Sequence, residues 1–280
     1  MKHIHYIVLL FSIKTLFSMN TSWSSNSSEV IAKKRWEIGL FQPFRYGYSD
    51  KTEFSTHPLL FFVMPNVSVK RAEERIWGFN CASKISFRYP TPLLNIISKE
   101  GIGGVIDPNL KTPPMVGFSY SWIMTKPLNG FDITIKNGID FALVSEALDK
   151  RSTIDLPLVY HRLALYNNGW GYHNGIDIQK SINKNFSFLV DLDFLILPKI
   201  AKMQSDPSFK DLRGLFSLEH KFLLSWEKSK NFRVTTGYKL VRAELPFGKQ
   251  TRISPRILPY LPLMESWVPI IELQWAGVKK

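Results

Sequence analysis

The sequence predicts an all-β protein, a single antiparallel transmembrane β-barrel of about 10–12 strands. Three observations predict it. Segments of roughly ten residues carry apolar and polar side chains at alternate positions, the period of a strand whose two faces meet different solvents. Aromatics are abundant, with 20 Phe, 10 Tyr and 8 Trp, and such residues favour strands over helices. Tryptophans recur towards the ends of these segments, on the apolar face, where an indole meets both hydrocarbon and hydrogen-bonding head groups.

The amino terminus has the make-up of an export signal over residues 1–20. Lys2 supplies charge, and the run from Ile4 to Phe17 is mostly apolar, interrupted by Lys14. A bilayer-spanning helix needs about 20 apolar residues, so this run is too short and too broken to be one. The Ser/Asn-rich stretch 21–34 reads as a disordered leader. The barrel then occupies residues 35–275, and 276–280 form a tail.

Within the barrel, residues 35–48 read as one strand, setting Trp36 and Ile38 against Arg35, Glu37 and Arg45. Residues 49–57 read as a polar connection, and 58–70 as a strand that begins with a continuous apolar run. Residues 75–89 place Trp77, Phe79, Cys81, Ile85 and Phe87 on one face, with Lys84 and Arg88 on the other. The proline- and glycine-containing stretch 90–114 is a long loop with room for one short helix near 93–99. Residues 115–125 oppose Phe118, Tyr120 and Trp122 to Ser119 and Ser121. Residues 131–144 oppose Ile133, Ile135 and Phe141 to Asp132, Lys136 and Asp140.

A further strand is expected at 156–166, with a bulge near His161. Asn167-Asn-Gly169 is a tight-turn signal. Paired strands follow at 170–179 and 186–197, beginning at Trp170 and carrying Asp177, Asp191 and Asp193 on the polar face. Residues 216–226 and 232–241 form the next pair, with Glu219 and Lys239 on the polar face and Trp226 at an end. A short strand is expected at 251–258. The closing stretch, Trp267-Val-Pro-Ile-Ile-Glu-Leu-Gln-Trp275, alternates again, with a tryptophan at each end and Glu272 on the opposite face.

This closing strand resembles the carboxy-terminal strand of bacterial outer-membrane β-barrel proteins. Trp275 takes the terminal aromatic position, with Leu273, Ile271 and Trp267 behind it at alternate residues. The tail beyond Trp275 departs from the pattern, which ends on the aromatic. The resemblance is architectural and covers roughly residues 35–275. It implies export, residence in the bacterial outer membrane among its lipids, and insertion by a barrel-assembly machinery that reads the last strand.

In such a barrel the apolar face looks at lipid and the charges point into the lumen. The expected lumen charges are therefore Arg35, Glu37, Arg45, Lys84, Arg88, Asp132, Lys136, Asp140, Asp191, Asp193, Glu219, Lys239 and Glu272. The expected interface aromatics are Trp36, Trp77, Trp122, Trp170, Trp226, Trp267 and Trp275. A soluble, lipocalin-like ligand carrier would show the same alternation turned inside out. The direction of the aromatic face separates the two. Polar residues on the apolar parity, namely Gln42, Ser83, Asn137, Asn174, His220 and Thr236, fit neither arrangement without local adjustment.

The net charge of +13 and pI of about 9.7 are spread along the chain rather than gathered in an arm. They suit anionic head groups better than nucleic acid, which is not an expected partner. The single cysteine, Cys81, cannot form an intrachain disulfide and reads as a small buried hydrophobe. No linear nucleophile motif, phosphate loop or paired-cysteine metal spacing is present, so no cofactor, metal or catalytic activity is expected. The expected function is a small channel or a structural membrane protein. A barrel enzyme acting on lipid, a hydrolase or deacylase, is the alternative. Its histidine would be His57, beside Ser55, or His173, which shares a face with Asp177. Asp191 and Asp193, two residues apart on one face, are expected to form lumen salt bridges.

Overall fold

The computed structural model describes residues 23, 26–99, 108–109, 112–146, 165–166, 169–197, 216–243, 254–255 and 271–279. The strands are β1 (Arg35–Gly39), β2 (Phe44–Ser49), β3 (Thr52–Thr56), β4 (Asn66–Ile76), β5 (Phe79–Arg88), β6 (Met115–Leu128) and β7 (Phe131–Val144). They continue as β8 (Trp170–Ser181), β9 (Phe186–Ile196), β10 (Phe216–Ser229), β11 (Phe232–Ala243), β12 (Ser254–Pro255) and β13 (Ile271–Val278). Two short helices, α1 (Pro58–Phe61) and α2 (Thr91–Ile97), interrupt the connections, the second within the loop expected to hold one.

Each strand from β1 to β11 pairs antiparallel with its chain neighbour, and β13 lies between β11 and β1. The sheet thereby closes into a barrel of twelve staves with no free edge. The two residues of β12 pair with Leu240 and Val241, further along the same side of β11. Followed strand to strand around the barrel, the pairing returns to β11 displaced by about fourteen residues. With twelve strands that stagger tilts them by about 40°. Tight turns join β2 to β3, β4 to β5, β6 to β7, β8 to β9 and β10 to β11. They share one end of the barrel with Lys34 and Lys279, whose backbones are hydrogen-bonded at 2.9 Å.

The alternation resolves into an apolar exterior and a polar interior. Phe141 and Leu192 face outward, 47% and 40% exposed, while Asp140 and Asp191 beside them are buried. Trp36, Phe186, Trp226, Phe232 and Trp275 face outward near the short-turn end. The registers Phe186 to Trp226, Phe232 to Trp275 and Trp36 to Gly277 carry this group across β9, β10, β11, β13 and β1. Trp170 opens β8 towards the other end, opposite Phe141, which is opposite Phe118. Trp122 is not near a strand end: it pairs with Ser83 and Asn137 in the middle of β6. Trp77 leaves the strand face altogether, because it occupies the β4–β5 turn at φ 51°, followed by Gly78 at φ 79°. Trp267 lies outside the described residues, as do residues 1–20, expected as an export signal, and the greater part of the stretch expected as a strand at 156–166. Its last two residues, Leu165 and Tyr166, form part of a helical turn.

Several boundaries differ from the sequence expectation. Residues 35–48 are two strands, because the chain reverses at residues 40–43 and pairs Trp36 with Tyr46. The polar connection 49–57 contains β3, which the adjacent β2 and β4 hydrogen-bond on both sides. The run from residue 58 begins as α1, with proline at its first turn, and becomes a strand only at Asn66. The tail is wall: Ala276, Gly277 and Val278 pair with Glu37, Trp36 and Arg35.

The outward polar residues find partners with one another. Asn174 Nδ2 donates to Asn137 Oδ1 at 2.5 Å, and Tyr172 Oη donates to the same oxygen at 3.0 Å. His220 Nε2 and Tyr238 Oη are 3.2 Å apart, and Ser83 Oγ donates to Glu73 Oε1 at 2.6 Å. Gln42 lies in the β1–β2 connection and lines the lumen.

Candidate functional site

Part of the stretch expected to be a disordered leader packs into the interior, while Glu29, Ala32, Lys33 and Lys34 are exposed. Trp23, Ser27, Ser28 and Ile31 are buried. Ser28 N–H donates to Thr125 Oγ1 at 2.8 Å, and Ile31 N–H to Glu53 Oε2 at 3.1 Å. Lys70 Nζ pairs with Glu53 at 3.4 Å and donates to the carbonyls of Ser27 and Glu29. The guanidinium groups of Arg35 and Arg233 lie 5.4 and 4.8 Å from the Trp23 ring, a cation–π arrangement in the interior. A Cβ at Gly47 would overlap the Ala32 carbonyl, so only glycine lets this segment pass so close to the wall. These contacts lie near the short turns, and the segment forms a floor there.

Above the floor the lumen holds ion pairs. Lys136 Nζ lies 2.9 Å from Asp177, 3.3 Å from Asp191 and 2.7 Å from Asp193. Lys221 Nζ completes the group 2.6 Å from Asp191. Lys239 pairs with Glu219 at 2.5 Å, and Arg35 with Glu37 at 3.1 Å. Glu272 accepts the backbone N–H of Phe41 at 3.1 Å and of Gln42 at 3.3 Å, which ties β13 to the β1–β2 connection. Arg45, Lys84, Arg88 and Asp140 line a cavity of about 380 Å³ inside the barrel, together with Glu37, Lys136, Asp193, Glu219 and Glu272. Arg35, Asp191 and Lys239 are buried in the wall's inner layer. Asp132 is half-buried near the turn end of β7 and does not line that cavity. Among the described residues, cations and anions lining the lumen nearly balance.

The two expected histidine pairings do not form. His57 caps α1 and its Nε2 meets the Phe41 carbonyl at 2.8 Å, while burial lowers its pKa. That makes it a clasp between two connections rather than a partner of Ser55. His173 turns away from Asp177 towards Asp140. Its Nδ1 lies 2.8 Å from Asp140 Oδ2, and its Nε2 lies 3.0 Å from Ser121 Oγ. Asp140 Oδ1 also accepts from Ser119 Oγ, which takes a bond from Arg88 Nη2 at 3.0 Å.

This constellation depends on strand register. Ser121 on β6, Gly138 on β7 and His173 on β8 stand in one row across the sheet. The imidazole reaches Ser121 over the middle strand because a Cβ at Gly138 would overlap Nε2. With Nδ1–H donated to the carboxylate, Nε2 is left to accept the Ser121 O–H. Tyr166 packs over Gly117 beside this group, and burial pushes its phenol up to about 12, so it stays a neutral hydroxyl. Ser121 and His173 both face the cavity. A hydroxyl, an imidazole and a carboxylate are thereby aligned, in the order a nucleophile and its base require.

Sequence reasoning placed Asp140 in the lumen and His173 on the inner face, but missed Ser121 and the link among the three. The residues lie 19 and 33 positions apart, and only the hairpin registers align them. No known protein-family description matches the chain, and no curated protein sequence matches it either. Among the described residues no cluster of His, Cys, Asp and Glu is arranged to hold a metal ion.

Proposed function

We propose that this chain is a bacterial outer-membrane β-barrel whose lumen is a polar vestibule closed at the short-turn end by residues 26–32. The observation that carries the reading is the direction of the alternating faces. Phe118, Tyr120, Phe141, Leu143, Ile176 and Leu192 point outward, each at least 40% exposed, while charged side chains fill the interior. Water disfavours so much exposed aromatic and aliphatic surface, and a bilayer accepts it. A soluble carrier needs the opposite orientation. Strands of 11 to 14 residues, as in β6 to β10, rise roughly 28–35 Å at a tilt of about 40°, matching a hydrocarbon core of about 30 Å.

The exterior charge supports the same reading. Lys33, Lys34, Lys51, Lys126, Lys184, Lys228, Lys230 and Lys279 are exposed around the short-turn end, next to the aromatic group containing Trp36, Trp226 and Trp275. Ammonium groups there meet anionic lipid head groups while the indoles sit at the interface. The last strand is the element a barrel-assembly machinery would engage.

Folded chain in detergent should migrate faster on a gel before boiling than after, and the expressed protein should fractionate with outer membranes. A chain that stays folded and soluble without detergent overturns the proposal.

A further inference from the structure

We propose that Ser121, His173 and Asp140 form a hydrolase site in the vestibule, acting on small carboxylic esters. The sequence contains no linear motif for such a site, because the triad is assembled across three strands. Its hydrogen bonds, 3.0 Å from Ser121 to His173 and 2.8 Å from His173 to Asp140, lie within the range for an activated nucleophile and its oriented base. Gly138 provides the second, independent observation. A Cβ there would overlap the imidazole, which crosses that position to reach the serine, as well as the Tyr120 carbonyl of the neighbouring strand.

The surroundings supply the remaining parts. Lys84 stands directly opposite Ser121 on β5 and faces the same cavity, which brings a positive charge to the serine's side of the lumen. Arg88 holds Ser119 against Asp140 and fixes the carboxylate from its far side. Leu195, opposite His173 on β9, and Leu165 line the cavity and provide an apolar surface for a short acyl chain. At about 380 Å³ the cavity fits a small ester, not an intact membrane lipid.

In the first step the Ser121 Oγ–H proton passes to His173 Nε2 as the oxygen bonds to the ester carbonyl carbon. The tetrahedral oxyanion collapses, the C–O bond to the leaving group breaks, and His173 returns the proton to the departing alcohol. Water then adds to the acyl-serine, giving its proton to His173. The C–Oγ bond breaks and the serine recovers a proton, releasing a carboxylic acid. Asp140 touches no reacting atom and is a positioning residue. It holds His173 in the tautomer whose Nε2 is basic.

The test uses the full chain folded in detergent, with a fluorophosphonate probe and p-nitrophenyl butyrate. Wild-type protein should be labelled on Ser121, identified by mass spectrometry, and should hydrolyse the ester. Ser121→Ala and His173→Gln should lower the rate by about 10³-fold or more in protein that still shows heat-modifiable migration. Asp140→Asn should lower kcat and alter its pH profile with KM unchanged, and Asp140→Glu should restore part of the rate. Folded wild type that the probe leaves unlabelled at Ser121 overturns the proposal. So does Ser121→Ala that hydrolyses the ester as fast as wild type. A network serving only to clasp three strands gives that unlabelled result.

Discussion

Lys136 shows how much of this barrel rests on single side chains. Three carboxylates, Asp177, Asp191 and Asp193, lie within 3.3 Å of its ammonium group, and the first two are almost completely buried. Replacing it with Met leaves buried anions facing only Lys221, and breaking a buried pair on one side costs about 3–5 kcal/mol. Lys136→Met should therefore lower the midpoint of urea unfolding in detergent, whereas Lys126→Met at the exposed rim should leave it nearly unchanged. Gly138 makes the complementary case for shape. Gly138→Ala should displace the His173 ring and press on the Tyr120 carbonyl, abolishing Ser121 labelling and lowering the urea midpoint. The individual lumen charges were legible in the sequence because strand parity assigns each to a face. Their partners were not, since Lys136 and Asp191 lie on non-adjacent strands and parity carries no information about which rows meet. Parity aligns His173 with Asp177 on its own strand for the same reason.

Among the elements, the long strands were legible and the short ones were not. The β6–β7 hairpin keeps one register over fourteen residue pairs, so its period is plain. Strands β1, β2 and β3 have five or six residues each, too few for alternation to stand out against their turns. Their identity comes from pairing with neighbours, which a local pattern cannot contain. The last strand was legible in type but not in extent. Small residues Ala276 and Gly277 carry no apolar signal, yet they form the seam with Glu37 and Trp36. Deleting residues 276–280 should remove three of the seam's five residue pairs and prevent the heat-modifiable form from appearing. Deleting only 279–280 leaves the paired residues in place and should permit folding. Equal folding of the two truncations would show that Trp275 alone terminates the functional strand.

At the scale of the molecule, the barrel wall and its floor come from different parts of the chain, and that sets whether solutes can cross. Twelve strands enclose enough room for a passage, but the described part of the amino-terminal segment occupies the short-turn end. Its attachments are specific: Ser28 to Thr125, Ile31 to Glu53, Lys70 to the segment's carbonyls, and Trp23 to Arg35 and Arg233. Each bond is worth about 1 kcal/mol, or more where charged, so together they hold the floor in place under ordinary conditions. The full chain in a planar bilayer should thus show little conductance. Removing residues 21–32 takes the floor away without removing any strand, and discrete channel openings should appear. Their selectivity should be weak, because the lumen's cations and anions nearly balance and a ring of one sign is what discriminates strongly between ions. Lys70→Met should give an intermediate result, with rare openings, since it frees the carbonyls of Ser27 and Glu29 while leaving Ser28 and Ile31 attached. Steady conductance from the intact chain would mean that the segment does not close the lumen.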